Sequence, residues 1–414
     1  MVRINAGRLE KELSELGHYG ENEQGGVDRS IGSEADLQAR EYLKKLWRDM
    51  GLQIRTDAIA NLWACQPGSE EQKKPIAVGS HHDAVPNGGK FDGALGVLMA
   101  TEVLKTIQEN EICLRHPYMV VSFTAEEPNP FNLSTMGSRS VTGKISEKVL
   151  ETAKDANGRL LAGAIQAAGG DVRKIEENQL EKGDLAAFLE CHIEQGRNLF
   201  DRNLSVAVVS RITGIYREII TVRGEANHAG TTLMKYRHDA LLAGAELALA
   251  VEKTAQQQGR NDVVATVGKF DVIPNAANII PGEVKLIMEL RTPDQNIREQ
   301  MLEEITTEIH GIEQKRNVAF ERCVNLNQAE VLMDETVRAA IEKGCQTVQD
   351  ESVELVSMAG HDSVHMSGIG KTGMLFVQSV NGISHSNLEF TEMKDIENAA
   401  NALLQAVLLL DEAL

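Results

Sequence analysis

His81, Asp92, Glu127, His192 and His385 are all metal-ligand types, and four of them close or follow short apolar runs that read as strands. They stand in "AVGSHHDAVPNGGKFDGALG", "VVSFTAEEPN", "AAFLECHIEQG" and "FVQSVNGISHS". Imidazoles and carboxylates without a thiolate form an N/O set suited to zinc, manganese or cobalt. Glu126, a spare carboxylate, stands directly beside Glu127. An acid left over next to such a set suits a hydrolase that draws a proton from water, whereas a structural metal has no use for it. Each residue alone has a plainer reading. A strand-end histidine is more often an ordinary surface or core residue, Glu126 with Glu127 could be a solvated acidic pair, and Asp92 would serve as an N-cap. Four strand ends delivering ligand types together are harder to explain separately, because open α/β sheets collect functional groups at their carboxyl edge.

The elements that must hold these residues are legible as alternation. Ser33 with Asp36 forms a capping-box signal opening "EADLQAREYLKKLWRDM", where Ala35, Ala39, Tyr42, Leu43 and Leu46 recur at helical spacing. The runs "KPIAVGS", "PYMVVSFTAEE" and "LAAFLECHIE" alternate with helical stretches, the pattern of an α/β domain with a mainly parallel sheet. From about residue 212 the order becomes strand, helix, strand, strand, helix, strand, the βαββαβ of a ferredoxin-like unit. The expected organisation is therefore a discontinuous catalytic domain, residues 1–211 and 326–414, with an inserted lid or dimerisation domain over 212–325.

Composition narrows the function classes. The 414 residues are 42% hydrophobic and 25% charged, which is ordinary for a globular chain of more than one domain. A net charge of −19 with no Lys/Arg block argues against nucleic-acid or anionic-membrane partners. Five widely spaced cysteines with no C-x-x-C pair fit a reduced cytoplasmic protein with buried thiols. No apolar stretch approaches the ~18 residues that span a bilayer. The N-terminus reads as an amphipathic helix and lacks the apolar region of a signal peptide.

"GSHHDAV", the glycine-flanked "FDG", "TAEEP", "HIEQG", "NHAGTT" and "GISHS" resemble the amidase/carbamoylase branch of the dinuclear metallo-aminoacylase and carboxypeptidase superfamily. That branch holds N-carbamoyl-L-amino acid hydrolases, β-ureidopropionases and the allantoate and ureidoglycolate amidohydrolases. The motifs run in order from about residue 25 to about residue 395. The resemblance implies two divalent ions, one taking His81 and His192 and the other Glu127 and His385, with Asp92 bridging. It makes Glu126 the general base and implies hydrolysis of a small ureido acid to amine, ammonia and carbon dioxide. His192 favours the ureido branch, since most peptidase relatives carry an acidic ligand there. By the same resemblance His228 donates to the oxyanion, from a second subunit of a homodimer. By itself His228 is a loop histidine before a helix. Gln195, Arg217, Asn278, Arg291 and Gly360 map onto substrate contacts; an arginine with an asparagine suits a carboxylate, although either arginine alone would be a surface residue. His361 and Asp362 map onto supporting positions.

Two positions depart from the pattern: Pro130 stands where many relatives carry an arginine, and Leu233 replaces the proline of "AGTTPM". Phrase-level similarity leans toward ureidoglycolate amidohydrolases and carbamoylases of unspecified substrate. The alternatives are an aminoacylase or dipeptidase of the same superfamily, or a non-catalytic binding protein of this fold. The last is disfavoured by the complete ligand set.

Overall fold

The computed structural model describes residues 2–414, and the chain divides into two compact units. The first joins Met1–Ser210 to Met333–Leu414, and the second is Arg211–Leu332. In chain order the strands used below are β1 (Gln53–Thr56), β2 (Leu62–Gln66), β3 (Ile76–His81), β4 (Tyr118–Phe123), β5 (Ala187–Ile193) and β6 (Val206–Ile212). They continue with β7 (Gly214–Arg223), β8 (Val264–Ile273), β9 (Glu283–Thr292), β10 (Ala319–Gln328) and β11 (Lys371–Val377). The expected domain boundary at 325 falls inside β10. Its polar, exposed end "NLNQ" lacks the apolar signal that marked the rest of the strand.

The main sheet of the first unit orders these strands β6-β11-β5-β3-β4-β2-β1. Only the centre is parallel: β11 with β5, β5 with β3, and β3 with β4. The pairs β4–β2, β2–β1 and β11–β6 are antiparallel. The sheet is thus mixed, where a mainly parallel one was expected. The five residues between β1 and β2 can close a hairpin but cannot make the long crossover that a parallel pair requires.

Strands β3 and β5 are buried along their whole length, because helices cover both faces of the sheet. Ile76 and Val78 of β3 and Leu189 and Cys191 of β5 face one core, shared with the helices Ala94–Glu109 and Met393–Ala413. Ala77 and Phe188 turn to the other, with Trp63 and Phe123. This two-sided burial is why the runs read as continuous apolar segments.

The helix Glu34–Asp49 starts where Ser33 accepts the amide of Asp36. Asp36 does not complete a capping box. Its carboxylate takes the Gly32 amide and the buried Arg40 guanidinium and His82 Nε2, both at 2.9 Å. His82, given no role by sequence, thus belongs to the core's polar wiring.

In the second unit β7–β10 form an antiparallel sheet in the order β8-β9-β7-β10. The helices Ala240–Gln257 and Gln295–Arg316 pack on one face through Ile220, Val222, Leu247, Leu286, Met288, Met301 and Ile305. The odd-numbered residues of β7 and β9, including Arg217, Glu289 and Arg291, lie on the other face. All five cysteines are free, but only Cys191 and Cys345 are buried, fewer than expected from sequence. No described helix is long and apolar enough to cross a membrane.

Candidate metal centre

His81 is the last residue of β3 and His192 the penultimate residue of β5, two adjacent parallel strands whose carboxyl ends therefore meet. Glu126 and Glu127 follow β4, the other neighbour of β3, and His385 follows β11, the other neighbour of β5. Asp92 enters from the turn before the helix Ala94–Glu109. Tertiary structure gathers these five into two groups able to hold a metal ion: His81, Asp92 and His192, and Asp92, Glu127 and His385. Asp92 is common to both. Glu126 belongs to neither; its Oε2 stands 3.8 Å from His81 Nε2.

The spacing tests whether the residues fit ions. Asp92 Oδ1 lies 3.4 Å from His81 Nε2 and 3.2 Å from His192 Nε2. On the other side His385 Nε2 lies 3.6 Å from Asp92 Oδ2 and 3.2 Å from Glu127 Oε1. Charge-assisted hydrogen bonds would draw such pairs to ~2.7–2.9 Å. Ligands at ~2.0–2.1 Å from a tetrahedral ion lie ~3.3–3.4 Å from one another, and the observed separations scatter about that edge. The rings are also turned correctly. His81 Nδ1 lies 3.1 Å from the Asp83 carbonyl and His192 Nδ1 2.9 Å from the Ile193 carbonyl, which places the proton on Nδ1 and aims the Nε2 lone pair inward. The buried Glu127 Oε1 is approached by His385 Nε2 at 3.2 Å and makes no other hydrogen bond among the described residues. The donor set fits two divalent ions sharing one carboxylate.

Electrostatics agree. Burial opposes charge on His81, yet Asp83, Asp92 and Glu126 raise its pKa well above the ordinary value. Burial likewise opposes charge on Asp92, but His192 and His81 hold it well below the carboxylate range. A field that favours a cationic imidazole at this point favours a metal cation for the same reason. Burial pushes Glu126 well above its usual range, with His81 opposing and Glu127 reinforcing.

Three groups that sequence reasoning passed over hold the site in shape. Asp83 accepts the amides of Glu126 and Glu127, one on each carboxylate oxygen, both at 3.1 Å. Glu389 Oε1 accepts the amides of Phe91 and Asp92, both at 3.0 Å, and its Oε2 takes the Ser384 hydroxyl. Burial and then the Asp92 charge push Glu389 up to about 7. Ser384 also lies 2.9 Å from Asp92 Oδ2. The one sequence clue was that Asp83 and Glu389 lie within four residues of His81 and His385. Ala125, Gln195 and His385 have φ of +52°, +56° and +54°, so left-handed backbone clusters where the ligands converge. Gly93 (φ +61°) is obligatory, since a Cβ there would sit 2.3 Å from the His81 ring.

The expected substrate contacts separate into three places. Gln195 donates to Asp92 Oδ2 at 2.7 Å, beside the ligand groups. Gly360 lies in open space, where a Cβ would meet nothing within 4 Å. His361 stacks edge-on against His192 with ring centroids 4.6 Å apart, and Asp362 is buried next to it. In the second unit His228 pairs with Ile279, so it lies next to the Asn278 segment, and Ala229 N donates to Asn278 O. Arg217 and Arg291 sit at the opposite end of that sheet, where both bind Glu289. Arg217 lies six positions along β7 from Arg223, the end nearest His228, which is about 20 Å of strand. The arginine–asparagine pairing expected for a carboxylate is thus absent within one copy: an acidic residue, Glu289, is the neighbour of both arginines.

Comparison with known proteins agrees with this geometry. The model of peptidase family M20/M25/M40 matches residues 77–409. An N-carbamoyl-L-amino acid amidohydrolase of Geobacillus stearothermophilus is 35% identical over 98% of each chain. A ureidoglycolate hydrolase of Oryza sativa subsp. japonica is 33% identical over 98% of this chain and 84% of its own. The crystal structure of an amidase of the hydantoinase/carbamoylase family from Burkholderia multivorans superposes with a TM-score of 0.89 at 29% identity, covering 98% of both chains. With the ligand groups at the carboxyl edge of the sheet and relatives matched along nearly the whole chain, this protein belongs to the M20/M25/M40 family, in its amidase/carbamoylase branch, and is a hydrolase.

Proposed function

We propose that this protein hydrolyses the terminal ureido group of a small N-carbamoyl acid, of the N-carbamoyl-L-amino acid or ureidoglycolate type. One observation carries the chemistry: two ligand groups share Asp92, and Glu126 stands beside them uncommitted. In this reading His81 and His192 would hold one divalent ion (zinc, manganese or cobalt), Glu127 and His385 would hold a second, and Asp92 would serve both. Such ions supply positive charge that polarises the ureido carbonyl and lowers the pKa of water.

Glu126 takes the proton from the attacking water and returns it to the departing nitrogen. The C–N bond to the terminal nitrogen breaks, ammonia leaves, and the remaining carbamate yields the amine and carbon dioxide. Gln195 orients the bridging carboxylate at the mouth of the site. His228 donates to the carbonyl oxygen as negative charge develops there. Arg217 or Arg291 and Asn278 take the substrate carboxylate, and Gly360 is a further substrate contact.

The second unit acts in this reading as a ferredoxin-like lid and dimerisation domain, supported by its βαββαβ order. In this reading the protein is a homodimer in which a second copy supplies His228 and Asn278; the roughly 20 Å of strand between those residues and Arg217 supports it, because one small ureido acid cannot touch both within a single copy.

Ammonia release measured over a panel of N-carbamoyl amino acids, ureidoglycolate, N-acetyl amino acids and dipeptides tests the proposal, with metal analysis of the same sample. Turnover of ureido acids is expected, as is a roughly 10²–10⁴-fold loss in Glu126→Gln with metal retained. Activity confined to N-acetyl amino acids or dipeptides would overturn the ureido reading. A fully active Glu126→Gln would remove the assigned base, and a fully active monomer would remove the dimer.

A further inference from the structure

His228 has an unusual local setting. Its Nδ1 accepts two backbone amides of the following turn, Gly230 N at 3.0 Å and Thr231 N at 3.2 Å. A backbone N–H can only donate, so Nδ1 carries no proton and the neutral ring keeps its proton on Nε2. The turn that aims those amides has few contacts of its own. Thr232 N returns to His228 O, and Ala229 N to Asn278 O. Two of its carbonyls are gathered by one side chain. Arg237 donates through Nη2 to Ala229 O at 2.5 Å and through Nε to Thr232 O at 3.1 Å. No carboxylate pairs with Arg237 among the described residues, although Arg223 and Arg217 of β7 both have acidic partners. A guanidinium whose fork spans the two ends of a four-residue turn fixes the shape of that turn.

We propose that Arg237 is a positioning residue that locks His228 as the Nε2–H tautomer by clamping residues 229–232. The locked ring presents one N–H outward, and the clamp holds both amides on Nδ1 so that the ring neither flips nor changes tautomer. The inference rests on the reading of His228 as the oxyanion donor, because only then does the lock serve turnover. A lysine cannot replace it: an ammonium lacks the planar fork needed to hold both carbonyls in one geometry.

The test uses the metal-loaded full-length protein with 15N-labelled histidine, the His228 signals being assigned by their loss in His228→Ala. In the parent, ring nitrogen shifts should show Nδ1 unprotonated and Nε2 protonated. Arg237→Ala and Arg237→Lys should both give averaged or doubled His228 signals while the other histidine signals stay in place. Their kcat should fall roughly 10- to 100-fold with KM little changed, short of the roughly 10²–10³-fold expected for removing the donor itself. Added to His228→Ala, Arg237→Ala should cost nothing further, since it acts through that ring. A single Nε2–H tautomer persisting in Arg237→Ala would overturn the proposal, as would losses that multiply in the double variant. If His228→Ala alone kept full turnover, the donor role would fall, while the tautomer signal would still decide what Arg237 does.

Discussion

Replacing Asp83 with asparagine is the sharpest test of how the centre is held. The carboxylate is buried, with one oxygen on the Glu126 amide and the other on the Glu127 amide. Asparagine keeps the shape but can accept only one of the two. Its NH2 group then faces the second amide, donor against donor. The lost hydrogen bond to a charged acceptor contributes ~1.5–3 kcal/mol, and a buried N–H without a partner costs ~1–3 kcal/mol. These overlap, so about 3 kcal/mol is the expected total, and it falls on the segment that carries Glu127 and Glu126. Expressed as binding, that corresponds to roughly a hundredfold, the upper end of what residues supporting a metal ligand contribute. Competition against a chromophoric chelator, on metal-stripped protein whose fold is checked by circular dichroism, reads this directly. Zinc affinity within about threefold of the parent in Asp83→Asn would refute the assignment of Asp83 as the brace of the centre.

Gly93→Ala should abolish binding at the His81–His192 group, because its Cβ would lie 2.3 Å from the His81 ring and φ is +61°. Gly163→Ala, with nothing within 4 Å, is the control and should leave metal binding unchanged, as metal titration of both variants would show. Asp36 governs acid stability: burial raises its pKa, but Arg40 and His82 outweigh that and hold it well below the usual range. Because the folded pKa is depressed, its contribution is complete above the unfolded value of ~3.9 and is lost as pH falls through the folded value. Asp36→Asn should therefore cost roughly 3–5 kcal/mol near neutrality, by leaving the Arg40 charge buried without its partner. That difference should shrink progressively below pH ~4 in urea unfolding. A gap constant from pH 6 to pH 2 would contradict the argument.

Local sequence alone picked out the candidate ligands, because four of the five sit at or beyond the end of an apolar run whose type and length can be read without knowing its neighbours. His81 after "IAVGS" and His192 after "AFLEC" are of this kind, and so are the long helices and the βαββαβ order of the second unit. The resemblance then joined these residues into one site. Tertiary structure decided what depends on distant partners. The antiparallel flanks of the sheet follow from a hairpin and from β6 lying against β11, strands far apart in the chain. Asp83 binds amides more than forty positions away, and Glu389 reaches nearly three hundred to fix Asp92. That Glu289 stands between Arg217 and Arg291 appears only once β7 and β9 are in register. Ligand identity is a property of single side chains and survives in one dimension. The hydrogen bonds that hold ligands in place join residues the chain brings together only by folding, so no spacing in the sequence records them.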